Sequence, residues 1–383
     1  MVKHPKPNRV TVIGGGIVGA SAAWRLAAAG HHVTVLEAAD RPAIQSSGRS
    51  AAGVRVQFSS ESNARMSWFG IQEFQEFHAL TGRDSGYRPQ GYLFLVPESH
   101  WPNHEAALSM QQTLGLPAER LATKDAQAIV PFDPDGIYAC TYGPQDGVIE
   151  PKGVTQAYLD MAVSHGATIR LASPVTAVAF KQGVWTVTTQ AETFTSDFVV
   201  NATGAWSGRI AAMANLTLPV EPSHRSVFVT EPLGFDHAYP LTVDVATGTY
   251  IRSDGQRLLI GRSNLKQPPG LFTGVDWDWL PDTIEPATRR FPFVGNTTID
   301  RHASWWGYYA LTPDDNAIIG FHPDAEGWLD ATGFSGHGIQ HAPAAGVAIS
   351  ELVNQGASTS FDLTPYAHAR FLKDTPTVEH HVV

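Results

Sequence analysis

Val10-Thr11-Val12-Ile13-Gly14-Gly15-Gly16-Ile17-Val18-Gly19-Ala20 decides the fold of this chain. Its first four residues are a β-branched run that favours a strand, and the alanine-rich stretch from Ile17 to Ala29 favours a helix that Gly30 ends. Val33-Thr34-Val35-Leu36-Glu37 is a second β-branched run closed by an acid, so the opening predicts strand, helix and strand in succession. Between the first strand and the helix, Gly14, Gly16 and Gly19 form the spacing G-x-G-x-x-G. Gly14 permits a tight turn, Gly16 lets the backbone approach a diphosphate, and Gly19 lets the helix pack closely on the sheet. Flanked by Ile13, Ile17 and Val18, the turn offers a diphosphate the unpaired N–H groups of a helix start and about half a positive charge. Glu37, followed by Ala38, stands where an acid binds ribose hydroxyls, which favours an unphosphorylated ribose. NAD and FAD satisfy this unit equally, so the distinction must come from elsewhere in the chain.

The 383 residues suffice for at least two domains with real cores. With 43% hydrophobic and 16% charged residues, disorder is excluded as the dominant state. The net charge of -10 excludes a general nucleic-acid binder, because no basic excess exists to displace counterions from a phosphate backbone. Cys140 is the single cysteine, so no intrachain disulfide or multi-cysteine metal site can form, and a reducing cytoplasm is the expected compartment. The stretch Met1 to Pro7 carries charge without an apolar run, and no segment approaches the ~18 uncharged apolar residues of a membrane helix. Neither a signal peptide nor integral membrane association is expected.

Ala64, Ser67, Ile71 and Phe74 recur at helical spacing and predict a helix from Ser60 to about Leu80, stopped by Gly82. From Gly86 to about Glu150 no long helical period persists, and that region is expected to be β-rich. A helix from Lys152 to His165 and strands at 168–180, 184–189 and 193–200 follow, then alternating strand-like and turn-rich segments over 219–304. Gly327 to Thr332 leads through a glycine turn into an apolar helix reaching about Val353. The order predicts an α/β fold with a discontinuous Rossmann-like dinucleotide-binding domain at 8–85, 150–214 and 305–375. A β-rich (α+β) substrate-binding domain is interleaved at 86–149 and 215–304, and 376–383, with Glu379-His380-His381, is expected to be a loose tail.

Further stretches name the dinucleotide. They are Ser46-Ser47-Gly48-Arg49-Ser50-Ala51-Ala52-Gly53-Val54-Arg55, Val199-Val200-Asn201-Ala202-Thr203-Gly204-Ala205-Trp206, Thr312-Pro313-Asp314 with Ile318-Ile319-Gly320, and Gly333-Phe334-Ser335-Gly336-His337-Gly338. With the glycine motif and Glu37 they span nearly the whole chain. In that order they resemble the superfamily of FAD-dependent amine oxidoreductases that includes glycine oxidase, sarcosine oxidase and D-amino-acid oxidase (the DAO superfamily).

The resemblance implies FAD extended across the first domain, with Val175 offering backbone contacts to adenine and Ser46, Ser47, Ala51, Ala52 and Gly53 passing the pyrophosphate and flavin. Ala202, Thr203, Gly204 and Trp206 belong to the same set, as do Ser335, Gly336, His337, Gly338, Ile339 and Gln340. The helix after His337 would turn its positive end to the flavin N1 and C2 carbonyl, where negative charge collects on reduction. Positions at which some relatives attach FAD covalently are Gly307 and Ser50 here, so the implied FAD is non-covalent. Arg55 matches the arginine that sarcosine oxidase-like enzymes set against a substrate carboxylate. Gln340 stands in place of an assisting lysine, Tyr309 in place of a glycine oxidase arginine, Tyr250 matches a pocket tyrosine, and Arg252 is a second cation nearby.

The implied reaction is oxidation of the C–N bond of an amino acid or N-alkyl amino acid: hydride transfer to flavin N5 gives an imine that water hydrolyses. Arg55, Tyr250, Tyr309, His337 and Gln340 are the expected catalytic group. Electrons would pass to oxygen, a quinone or a partner protein. Leu259 occupies the place of a lysine that helps oxidases reduce dioxygen, which tilts the expectation towards a dehydrogenase. Rival readings are a 2-hydroxyacid dehydrogenase of the same superfamily, and a non-catalytic flavoprotein acting as a partner or assembly subunit. An oligomer is left open. No metal is expected, because His337 and His341 have metal-like spacing but lack a third ligand.

Overall fold

The computed structural model describes residues 7–235, 238–372 and 378–381. Its opening strand, Arg9–Ile13, lies in a six-stranded sheet whose order is 318–321, 328–332, 198–201, 9–13, 32–36 and 168–170. All neighbours are parallel except Ile318–Phe321, which runs antiparallel to Trp328–Thr332. The helix Ile17–Ala28 packs on this sheet and against helices Pro151–Ser164 and Gly338–Gln355. Ile17, Ala20, Ala23 and Leu26 are fully buried there with Val10, Val12 and Val35, each large aliphatic side chain contributing roughly 1.5–3 kcal/mol. The opposite face is covered by the antiparallel strands Val175–Lys181, Val184–Thr189 and Thr193–Ser196, with Trp185 and Val187 against Val199 and Trp328.

The second layer is an eight-stranded sheet ordered 305–311, 221–229, 257–261, 249–254, 241–244, 92–96, 139–143 and 119–121. Its pairs are antiparallel except Leu241–Asp244 with Tyr92–Val96. The fold is therefore the expected α/β combination of a Rossmann-like sheet and an interleaved β-rich part. One boundary differs: Trp305–Leu311 is an edge strand of the eight-stranded sheet, not part of the first domain. Its residues carry no turn signal at 305, and only its pairing with Glu221–Val229 fixes its side.

The β-rich regions also hold helices that the sequence reading left out: Trp101–Thr113, Thr123–Ile129 and Leu280–Arg290. The first buries His104 and Gln111 beside Trp101, Ala107 and Leu108, so polar residues on its inner face hide the apolar period. The third carries Pro281 and Pro286 and buries only Thr283 and Ala287. The helix expected over Ser60 to Leu80 is two, Glu61–Gln75 and Phe77–Thr81, ended by Gly82 in the left-handed region.

The loose tail is also corrected. Residues 376, 377, 382 and 383 lie outside the described residues, as do Met1 to Lys6, but Glu379 and His381 are buried at 2% and 4% exposure. Ser59, Ser60 and Asn63 all donate to the Glu379 carboxylate, an acceptor set that no local pattern around Glu379 announces.

Candidate active site

The two sheets and the N-terminal ends of helices Ile17–Ala28 and Gly338–Gln355 enclose a cavity of about 1440 Å3, counting its open mouth. Gly16, Ile17 and Val18 form one end of its wall, with Ser46 and Ser47 beside them. The Ser47 hydroxyl accepts the Ile17 N–H at 3.1 Å, which ties the early loop to the first turn of the helix.

The three glycines of the motif do different work. At Gly14, φ is +109° and an added Cβ would stand 2.4 Å from the Ala202 carbonyl oxygen; at Gly19 it would stand 2.0 Å from the Gly14 oxygen. Those two are required by the protein itself. Gly16 is extended, with φ -76° and ψ 175°, and its Cβ would meet only the Ser47 Oγ at 3.2 Å. Its side faces the cavity, a cradle that a Cβ would fill, as expected where backbone must approach a diphosphate.

Other residues expected at the cofactor sit in or behind this wall. Ala51, Gly53, Ala202, Gly204 and the run Ser335 to Gln340 line the cavity. Ile13, Gly14, Gly19, Ala52, Thr203 and Trp206 lie outside it; Thr203 bonds Asn201, and the Trp206 ring stands edge-on to Tyr308 at 5.4 Å. Glu37 accepts the Gly15 N–H at 2.7 Å and the Ala39 N–H at 2.9 Å. With Ala38 and Val175 it lies beyond the cavity wall, Val175 beginning a strand of the three-stranded sheet.

At the other end the glycine turn Gly333–Gly338 precedes the long helix. Ser335 holds φ +43°, a strained value for a residue with a side chain, and its N–H bonds the Ala310 carbonyl at 3.0 Å. Gly336 is pressed on Tyr309, whose ring an added Cβ would meet at 2.7 Å. His337, at the helix start, has an Nε2 with no partner, and burial holds its pKa well below the usual histidine value, helped by His341 and Arg55. It is thus a neutral, weakly basic imidazole. Phe58 packs against both His337 and His341, and no group of metal-binding side chains occurs among the described residues.

The four charged side chains lining the cavity, among the described residues, are Arg49, Arg55, Arg225 and Arg262; no carboxylate or lysine joins them. Arg55 is 5% exposed, and its guanidinium donates to the carbonyls of Gln57 and His381. Gln340 Oε1 accepts the Arg55 backbone N–H at 2.6 Å. Arg49 lies 4.0 Å from the Trp306 ring centre, and Arg262 donates to the Thr247 and Asp282 carbonyls. Arg252 is absent from the wall and pairs with Asp254 at 3.2 Å. Leu259, on the same sheet, is fully buried with Val227 and Val229 and does not line the cavity either.

Arg225 stands apart. Strand Glu221–Val229 carries it beside Tyr309, with its guanidinium carbon 4.7 Å from that ring centre. It donates to Ser223 Oγ and the His224 carbonyl, its Nε has no partner, and no carboxylate among the described residues pairs with it. Burial lowers its pKa, with the charge favoured only by tyrosines and Asp315. Tyr250 and Tyr92 complete the same end; burial raises both phenols, Tyr92 to about 12, so both stay protonated. Sequence reasoning missed Arg225 because no motif surrounds it. Its signal was a lone cation in a strand that turns apolar at Val227.

Comparisons with known proteins give the family. The family described as FAD dependent oxidoreductase (DAO) matches residues 9–352. FAD-dependent oxidoreductase domain-containing protein 1 of Xenopus laevis is 29% identical over 430 residues, covering 99% of this chain and 85% of the relative. Glycine oxidase of Geobacillus kaustophilus is 27% identical, with 95% of this chain and 97% of the relative covered. Among solved structures, L-proline dehydrogenase from P. horikoshii superposes with a TM-score of 0.89 at 28% identity, covering 97% of this chain and 100% of that one.

Proposed function

This chain belongs to the DAO family of FAD-dependent oxidoreductases, with FAD as its cofactor, and from that premise we propose that it oxidises the C–N bond of an amino acid or N-alkyl amino acid. The observation that carries the reading is Arg225, a partly buried cation at the cavity wall whose buried Nε has no partner and which no acid among the described residues neutralises. Leaving a charge so placed costs several kcal/mol unless a ligand supplies the opposite one. A substrate carboxylate does so, in a charge-assisted bond worth about 1.5–3 kcal/mol net. In this assignment Arg225 takes the role that the resemblance gave to Arg55, both of whose terminal nitrogens donate to main-chain carbonyls of the protein.

When bound, FAD supplies the ring that takes up the electrons of the substrate C–H bond. Gly16, the first turn of the helix Ile17–Ala28 and Ser47 would hold its diphosphate, and Ser335 to Gly338 would face the ring. Attachment is non-covalent in this reading: Gly307 and Ser50 bring no nucleophile suited to it, and Cys140 is buried in another cluster. Tyr92, Tyr250 and Tyr309 exclude water from the substrate, and the N-terminus of Gly338–Gln355 stabilises negative charge as electrons arrive. A cavity without acids disfavours the ammonium form of the substrate and so favours the neutral amine that the reaction requires.

The hydroxyacid reading needs a base for the hydroxyl proton, and His337, the histidine at the wall, is a weak one. The acceptor is proposed to be a quinone or a partner protein rather than oxygen, supported by the absence of lysine from the described cavity wall. The test is anaerobic mixing of holoenzyme with amino acids, N-alkyl amino acids including proline and sarcosine, and 2-hydroxyacids. Bleaching by an amine-bearing substrate, with an apparent Kd that Arg225→Ala raises roughly ten- to a hundredfold, is expected. Bleaching by hydroxyacids alone, or by nothing, refutes the proposal.

A further inference from the structure

Arg55 is held in an unusual way. It is a buried cation whose guanidinium lies 4.1 Å from the centre of the Phe58 ring, between Tyr92 and Phe94, and its acceptors are two main-chain carbonyls. One, Gln57, is local; the other, His381, is 326 residues away in sequence. Where the guanidinium points therefore depends on what fixes the carbonyl of His381.

Four sets of contacts fix it. The Glu379 carboxylate sits before the helix Glu61–Gln75 and accepts from Ser59 N at 2.8 Å, Ser59 Oγ at 2.6 Å, Ser60 N at 3.3 Å, Ser60 Oγ at 3.1 Å and Asn63 Nδ2 at 2.9 Å. A negative charge at a helix start is favourable, and these five donors, with the His381 N–H as a sixth, satisfy it fully. The Glu379 N–H donates to the Asp314 carbonyl at 3.1 Å, and Asp314 is itself ion-paired to Arg370. The His381 N–H donates to Glu379 Oε1 at 3.1 Å, and its ring stacks on His104 at 4.1 Å and 20°. Both imidazoles are neutral at ordinary pH, burial lowering His104 to about 3 and His381 to about 4, so the stack carries no mutual repulsion.

We propose that residues 378–381 are a built shell behind the cavity lining, and that Glu379 is a positioning residue that sets the Arg55 guanidinium at the cavity through the carbonyl of His381. Arg55 is then a fixed strut. It holds its charge at the cavity lining and braces Phe58, which packs on His337. The inference rests on the cavity being the substrate site, but its first readout does not.

The experiment compares FAD-loaded wild type, Glu379→Ala, Glu379→Gln and His381→Ala. Hydrogen exchange at the amides of Ser59 and Ser60 should accelerate at least tenfold in Glu379→Ala, while flavin content stays at the wild-type level. Titration with benzoate, a monocarboxylate followed by the flavin absorbance change, should show Kd raised roughly tenfold in Glu379→Ala. Glu379→Gln keeps an acceptor for Ser59 and should come back to within threefold, and His381→Ala keeps the carbonyl but loses the stack and should lie between. Unchanged exchange at Ser59 and Ser60 overturns the anchoring of 378–381. Faster exchange with unchanged benzoate affinity overturns the positioning role of Glu379. If Glu379→Ala fails to fold, the ordering of Glu379→Gln and His381→Ala against wild type decides. Wild type that exchanges as expected yet binds no benzoate would implicate the substrate assignment instead.

Discussion

Replacing Gly16 by Ala separates what the cofactor needs from what the fold needs. In the empty protein the new Cβ meets a single atom, Ser47 Oγ at 3.2 Å, and the backbone is already extended. A hydroxyl can turn aside by a few tenths of an ångström, so the apoprotein should change in stability by no more than about 0.5–1 kcal/mol. FAD fares differently, because the methyl group stands between the backbone and the diphosphate. Losing one charge-assisted bond there costs about 1.5–3 kcal/mol, which is roughly a ten- to 150-fold rise in Kd. Gly14→Ala is the contrast: its left-handed φ and the 2.4 Å approach to Ala202 should destabilise the apoprotein itself by at least ~2 kcal/mol. The assay is thermal unfolding of each apoprotein, followed by titration with FAD and measurement of free flavin fluorescence. A Gly16→Ala protein that binds FAD like wild type, or an apoprotein as unstable as Gly14→Ala, would refute the reasoning. A washed acid pellet of wild type that stays yellow would refute reversible binding.

Burial pushes the Asp146 carboxyl up to about 7, against hydrogen bonds from Gln57 and Val56 and the nearby Arg55 charge, which lower it. The folded pKa lies above the unfolded one, so this group's stability is fully present below about pH 4 and is lost as pH rises through about 7. Asp146→Asn should therefore flatten the fall of the unfolding free energy, measured by denaturant titration, between pH 4 and pH 8 by an amount of order a few kcal/mol, Asp330 leaving a residual slope of the same sign. An unchanged slope would remove Asp146 as its source. Reduced enzyme mixed with air in a stopped-flow instrument should reoxidise slowly, and faster with a quinone or dye. Reoxidation by oxygen as fast as by the dye would make the protein an oxidase.

Legibility in the sequence followed the range of the interactions. Gly14, Gly16, Gly19 and Glu37 could be read as a dinucleotide unit because each acts through backbone geometry or charge within one strand–helix–strand element. The turn Gly333–Gly338 was legible for the same reason. Helix Trp101–Thr113 was not, since the polar groups it buries, His104 and Gln111, find their partners in other elements: His104 stacks on His381, and Gln111 donates to the Phe58 carbonyl.

By itself, then, the sequence determined that this chain builds a Rossmann-like dinucleotide site joined to a β-rich layer, and resemblance to the DAO superfamily named the dinucleotide as FAD. Strand period, helix start and glycine spacing are local properties that no distant residue can cancel. Which cations serve that site was decided only by tertiary structure. Arg55 and Arg225 are equally plain as residues, but one is held by the Gln57 and His381 carbonyls and the other keeps an unpartnered Nε beside Tyr309. A charge declares its role through what faces it, and those neighbours are brought together across the whole length of the chain.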